Sequence, residues 1–196
     1  MSMQKLTRQD LWSLEDYAQR RDQFRRQVMA HKKNRGLQIG PHLRLLFEDR
    51  MTMHYQVQEM LRAERIFEAD GIQGELEAYN PLIPDGSNWK ATMLIEFEDI
   101  AERQKALAQL IGIEDKVWVQ VPGHDRVYAI ADEDMERERA DKTSSVHFLR
   151  FELTSQMIQA LKHDAHLAAG VDHPNYRYMI EAVPDSLTQA LLKDLG

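Results

Sequence analysis

Apolar positions recur with two different periods along this chain, and the change of period divides it. From Pro41 to Asp70 the spacing is helical: at 100° per residue Leu43, Leu46, Phe47, Met53, Val57, Met60 and Leu61 share one face, together with Arg50, His54, Glu64 and Glu68. Ionisable groups in an apolar stripe cost several kcal/mol to bury without partners, so this stretch predicts a site or a polar interface. A preceding helix is predicted from about Arg8 to Lys33. Thr7 and Asp10 form its capping box, Leu6 and Leu11 its staple, and His31, Lys32, Lys33 and Arg35 suit its negative end before Gly36. Two long helices with a short link predict an antiparallel helical hairpin over residues 1–70.

Residues 71–90, with Tyr79, Asn80, Pro81, Pro84, Asp85, Gly86, Ser87 and Asn88, read as an irregular crossing segment. Beyond it the period falls to two. Ala91, Met93, Ile95 and Phe97 alternate with Thr92, Leu94, Glu96 and Glu98, and Val117, Val119 and Val121 alternate with Trp118 and Gln120. Pro122-Gly123-His124-Asp125 makes a hairpin from Val117–Val121 into Arg126–Ala131, and Ser145–Leu153 adds a strand. Helices are predicted near Ile100–Ile111, from Thr154 to Ala165 and after Pro184, with a short strand near Tyr176–Val183. Asp132–Lys142 reads as a solvated acidic loop. The fold class is α+β: the helical hairpin followed by a mostly antiparallel sheet of four to five strands with two or three helices across 91–196, all in one compact unit.

Composition narrows the chemistry. The chain of 196 residues has room for one good core. Its net charge of −7 argues against a general nucleic-acid or anionic-membrane binder. With no cysteine, disulfides, thiolate nucleophiles and protein-ligated iron–sulfur clusters are excluded, so a metal such as iron or zinc would need His and carboxylate ligands. The first residues lack an apolar signal core and no run is long enough to span a membrane, which predicts a soluble cytoplasmic protein.

The strings FEDRMTMHYQVQEMLRAERI, ELEAYNPLIP, WKATMLIEF, TSSVHFLRFEL and GVDHPNY, in this order over nearly the whole chain, resemble a bacterial family catalogued as domain of unknown function three-five-zero-one. The positions carrying the resemblance are Glu59, Arg62 and Glu64, then Tyr79 and Asn80, then His147, and finally His173, Pro174 and Tyr176. Members are typically encoded beside a rubrerythrin-like di-iron protein and an iron–sulfur oxidoreductase, so the resemblance implies an accessory role in oxidative stress or electron transfer. It brings no fold, substrate or catalytic residue.

Three constellations could carry chemistry. Arg50, His54, Glu59, Arg62, Glu64, Tyr79, Asn80, His147, His173 and Tyr176 form the candidate polar seam or pocket. A helical rise of ~1.5 Å per residue puts His54 and Glu64 roughly 15 Å apart, so they cannot share an ion, and the Glu-x-x-His signature of ferritin-like di-iron helices is missing. A seam between helix and sheet is the simpler reading. His163, His166, Asp172 and His173 offer donors for a zinc or iron site, against which stand the surface histidines common at helix ends and a structural turn at Asp172-His173-Pro174. Arg21, Arg25 and Lys32 lie within about 40° on a helix, a positive strip whose lack of interleaved aromatics favours a solvated face or a dock for an acidic partner over phosphate or nucleic acid. The leading expectation is a soluble accessory protein that binds a redox partner. A metal-dependent redox enzyme and a nucleic-acid-binding regulator are the alternatives, and a homo-oligomer is open.

Overall fold

Ser13 caps the first α-helix, its hydroxyl accepting from Asp16 N at 3.1 Å, and α1 runs Leu14–Lys32. Before it, the Thr7–Asp10 box closes only a single 3₁₀ turn, Arg8–Asp10, with Asp10 Oδ2 accepting from Thr7 N at 2.8 Å. The computed structural model describes residues 4–131, 142–164 and 166–196, so nearly all of the acidic stretch Asp132–Lys142 lies outside the described residues. After α1 the chain turns into a hairpin, β1 (Gly36–Ile39) and β2 (Leu43–Glu48), and only then enters α2 (Arg50–Ala63), capped by Asp49. Helix α3 (Ala69–Tyr79) leads through a 3₁₀ turn to β3 (Asn88–Ile95). There follow α4 (Ile100–Gln109), β4 (Val117–Gln120), β5 (Val127–Tyr128), β6 (Val146–Glu152), α5 (Ser155–His163), β7 (Ala168–His173), β8 (Tyr176–Ile180) and α6 (Asp185–Leu192).

The strands make two antiparallel four-stranded sheets, ordered β1-β2-β3-β6 and β5-β4-β7-β8. Their inward residues meet in one core: Leu43, Leu45, Phe47, Met93 and Phe151 from the first, Val117, Val119, Ala169 and Val171 from the second. Leu107, Leu161 and Leu191 bring α4, α5 and α6 onto it. Trp89 ties α6 down by donating its indole N–H to Leu191 O at 3.0 Å. Phe148, on the outer face of β6, packs on the α2–α3 layer of Val57, Leu61, Ile72 and Leu76. The two sheets also meet at their edges. Ile130, just past β5, makes an antiparallel bridge to Arg150 on β6, while β1 lies against β7 and β8.

The α+β class and the antiparallel pairing match the sequence reading; several elements do not. The predicted helix 41–70 is a strand, a helix and the start of a third element. Leu43, Leu45 and Phe47 are buried while Arg44 is exposed, a period of two that also satisfies i, i+3, i+4 over so short a run. Register with β3, where Leu45 faces Met93 and Phe47 faces Ala91, decides for the strand. Helix α2 stops because Arg65 takes φ +56° and Ile66 N bonds back to Leu61 O at 2.9 Å, a left-handed stop made without glycine. Helices α1 and α2 do pack together, but a β-hairpin separates them in sequence, so residues 1–70 are not a simple helical hairpin. Half of the crossing segment is α3, and β7 completes a second sheet where one of four to five strands was expected.

Candidate functional site

Residues of the GVDHPNY string build one wall of a cleft where the two sheets meet. His173, at the end of β7, is buried, and both ring nitrogens are engaged: Nε2 donates to Ile111 O at 3.1 Å and Nδ1 accepts from Asn175 N at 3.2 Å. Asn175 Nδ2 donates to Gln109 O at 2.8 Å, so the β7–β8 turn is fastened to the end of α4. Tyr176 then crosses to the other sheet. Its hydroxyl accepts from His42 N and Leu43 N, both at 3.0 Å, and donates to Ile39 O at 2.7 Å, and burial raises its pKa. Gly40 makes this possible: at φ +69° a Cβ would come within 2.7 Å of Tyr176 Oη and 2.6 Å of the Tyr178 ring. On the far wall His42 stacks on Phe97 at 3.8 Å between centroids, its Nδ1 donating to Glu96 O at 3.0 Å. The cleft is open and of about 450 Å³, with the exposed Tyr178 at its edge, while Arg177 alternates to the other face of β8, across from Asp172.

The polar residues of α2 face α1 and the N-terminal segment, not the sheet. Arg50 pairs with Asp10 at 2.6 Å and donates to Gln4 O at 3.0 Å. Gln58 Oε1 accepts from Trp12 N at 2.7 Å. Glu59 accepts from the buried Tyr17 hydroxyl at 2.6 Å and from Arg21 Nε and Nη2, both at 2.7 Å; Arg21 is the chief cause that holds the Glu59 carboxyl down at about 2. His54 sits between the Trp12 and Phe24 rings, at 4.9 and 5.1 Å, and burial lowers its pKa, with Arg50 adding to the effect. A neutral imidazole among aromatic rings is core in character.

Glu64 was expected inside this seam and is not: it caps the end of α2 and is exposed, as is Arg62. Termination of α2 at Ala63 takes Glu64 off the helix, whereas Arg62, in the last turn, lies on its exposed side. Asn80 acts elsewhere, its side chain clamping Leu6 by accepting from Leu6 N at 2.7 Å and donating to Leu6 O at 2.9 Å, and Tyr79 packs beside the α2–α3 layer. His147 is buried on β6, with Nε2 at 2.9 Å from Thr143 Oγ1, 3.0 Å from Ser144 O and 3.9 Å from Glu114. A further cluster gave no signal in the sequence. Arg35, expected only to suit the end of the first helix, is buried, donates to Phe47 O at 2.9 Å and pairs with Asp194, while Asp49 bridges Arg35 and His31. Burial pushes the Asp194 carboxyl up to about 6 against the opposing pull of Arg35.

The metal constellation does not assemble. Helix α5 ends at His163, so His166 leaves its face and pairs with Asp164 in solvent. Asp172 is held by Arg126 and accepts from Tyr128 Oη at 3.0 Å, and both nitrogens of His173 are spent. Among the described residues no three His or carboxylate side chains converge on one point. The basic strip loses Arg21 to Glu59, leaving Arg25, with Arg26 and Lys33 beside it, exposed, and Lys32 half-buried. Among the described residues no helix is long and apolar enough to cross a membrane.

These features define an α+β protein of two edge-joined sheets, with an open cleft at one seam and a helical layer laced by ion pairs. The family model described as "Protein of unknown function (DUF3501)" matches residues 5–195, and the chain belongs to that family. It is similar to a crystal structure described as a novel protein of unknown function from Burkholderia pseudomallei K96243, at 53% identity over 98% of this chain and 100% of that one, with a TM-score of 0.93. No curated protein matches.

Proposed function

We propose that this chain is a cytoplasmic accessory protein that works by binding a redox partner, docking an acidic surface of that partner on the exposed face of α1. The observation that carries the reading is how the charges are spent. Arg50, Glu59, Arg21, Arg35 and Asp49 are committed to structural ion pairs, whereas Arg25 and Arg26 on α1 and Lys33 just past its end, with Asp22 as the one acid beside them, are exposed and form no ion pair among the described residues. A positive face on a chain of net charge −7, its charges outside the structural ion pairs, is suited to steering an oppositely charged partner. The face carries no interleaved aromatic residues, which favours an acidic protein over nucleic acid. The family resemblance supplies the partner class, a rubrerythrin-like protein or an iron–sulfur oxidoreductase.

The test is interferometry of the protein against each partner at two ionic strengths, with Arg25→Glu/Arg26→Glu as the variant. Association should weaken in the variant, and that of the wild type should fall with salt. Unchanged binding in the double variant overturns the reading. Arg21 is left in place, since reversing it would break the Glu59 pair and confound docking with stability.

A further inference from the structure

We infer that the outer face of the β5-β4-β7-β8 sheet is where a second copy of this chain packs, sheet against sheet, about a two-fold axis. Val117, Val119, Ala169 and Val171 turn into the core, so Trp118, Gly170 and Asp172 alternate outward. Register carries one row across all four strands on that side: Tyr128 opposite Trp118, Trp118 opposite Gly170, and Gly170 opposite Met179. Trp118 is buried yet belongs to none of the three apolar clusters of the interior. Its ring covers Gly170, where a Cβ would come within 2.4 Å of it, and the Arg126 guanidinium lies over the ring at 3.9 Å from the centroid. Asp172 holds Arg126 there and accepts from Tyr128 Oη at 3.0 Å, which braces the middle of the face before anything binds. At the two ends of the row Tyr128 and Met179 stand 43% and 56% exposed.

Charge names the occupant. On β8 the outward alternation reads Arg177, Met179 and, just past the end of the strand, Glu181: a cation, an apolar centre and an anion, each about 6.6 Å from the next and all exposed. Neither Arg177 nor Glu181 forms an ion pair among the described residues, and Asp172, which lies opposite Arg177, is spent on Arg126. Such an order is complementary to its own reverse. A two-fold axis along the Tyr128–Met179 row sets the two β8 strands antiparallel, brings Met179 onto its counterpart and puts Arg177 against Glu181 of the partner subunit, twice over. A partner carrying one sign of charge would match one end of this pattern and be repelled at the other. The contact is isologous, so the assembly closes at two copies.

Sedimentation velocity of the full chain from about 5 to 500 µM is the test, and it should show a dimer with Kd between about 1 and 100 µM. Arg177→Glu and Glu181→Arg should each weaken the dimer at least about tenfold, since each sets two like-charged pairs across the axis. The double reversal Arg177→Glu/Glu181→Arg restores opposite charges and should return Kd to within about threefold of wild type. Met179→Asp, which places two carboxylates on the axis, should leave only monomer. All three positions are exposed, so every variant should melt as wild type does. Arg25→Glu, on α1, should dimerise as wild type does. A chain that stays monomeric at about 500 µM overturns the inference and leaves the face to a different protein. A dimer that neither single reversal weakens, or a double reversal no better than the singles, overturns it equally. None of these outcomes bears on partner docking through α1.

Discussion

Replacing Glu59 by Ala should destabilise the protein far more than replacing Glu64 by Ala, although both are glutamates near the end of the same helix. Glu59 holds Arg21 through two bonds of 2.7 Å and accepts the Tyr17 hydroxyl at 2.6 Å. Its pair with Arg21 is about one-quarter exposed on each side, which limits that part to roughly 1 kcal/mol. Tyr17 is fully buried, and stranding its hydroxyl adds about 1 to 3 kcal/mol. Together these give about 2 to 4 kcal/mol, or a fall in Tm of roughly 5 to 15 °C for a chain of this size. Glu64, exposed, should cost under about 0.5 kcal/mol. Acid supplies an internal check. The Glu59 carboxyl ionises at about 2 in the fold against 4.5 ordinarily, so its contribution is complete above pH 4.5 and drains away as pH falls toward 2. Asp194, raised to about 6 from 3.8, acts in the opposite sense: the fold is favoured while it is protonated, below pH 3.8, and that advantage is lost as pH rises through 6. Because Asp194 is common to wild type and Glu59→Gln, it cancels in their difference, which should shrink between pH 4.5 and 2. Differential scanning calorimetry of the Ala variants at pH 7, and of wild type and Glu59→Gln across that acid range, checks both parts. Equal Tm for the two Ala variants, or a pH-independent gap to Glu59→Gln, would refute the reasoning.

Gly40→Ala should cost about 2 kcal/mol or more, because φ +69° and the Tyr176 and Tyr178 rings leave no place for a methyl group; chemical denaturation measures it. Asn80→Ala removes both bonds to Leu6, and limited proteolysis should show faster cleavage before Leu11, with about 1 to 3 kcal/mol lost in a melt. His173→Ala should lower Tm through the freed Ile111 carbonyl and Asn175 amide without changing metal content by mass spectrometry; a wild-type equivalent of iron or zinc that vanishes in the variant would contradict the structural assignment.

The sequence was legible where one period held for long enough to exclude the other. Ala91, Met93 and Ile95, and Val117 and Val119, alternate over enough residues that β3 and β4 stand within three residues of their expected limits. Across Leu43–Glu48 both periods fit, and the outcome rests on pairing with residues almost fifty positions away. The break at Arg65 lacked glycine or proline, and that concealed the end of α2 and with it the exposure of Glu64. The GVDHPNY string supplies Tyr176 to the cleft, while His42 and Phe97 on its far wall come from segments brought beside it only by the meeting of the two sheets. Arg35 and Asp194 are 159 positions apart, a separation at which one sequence gives no hint of contact.

Where the sheets meet, edge strand lies against edge strand: β5 is joined to β6 through the Ile130–Arg150 bridge, and β1 is covered by β8, with Tyr176 bonded to the Ile39 carbonyl. Free strand edges are the usual templates for pairing with another chain, whether in recognition or in aggregation. With edge turned toward edge, a visiting peptide would have to enter between the two sheets to extend either of them. Recognition must therefore be written in side chains, and a scan of exposed residues, one substitution at a time, is able to erase it.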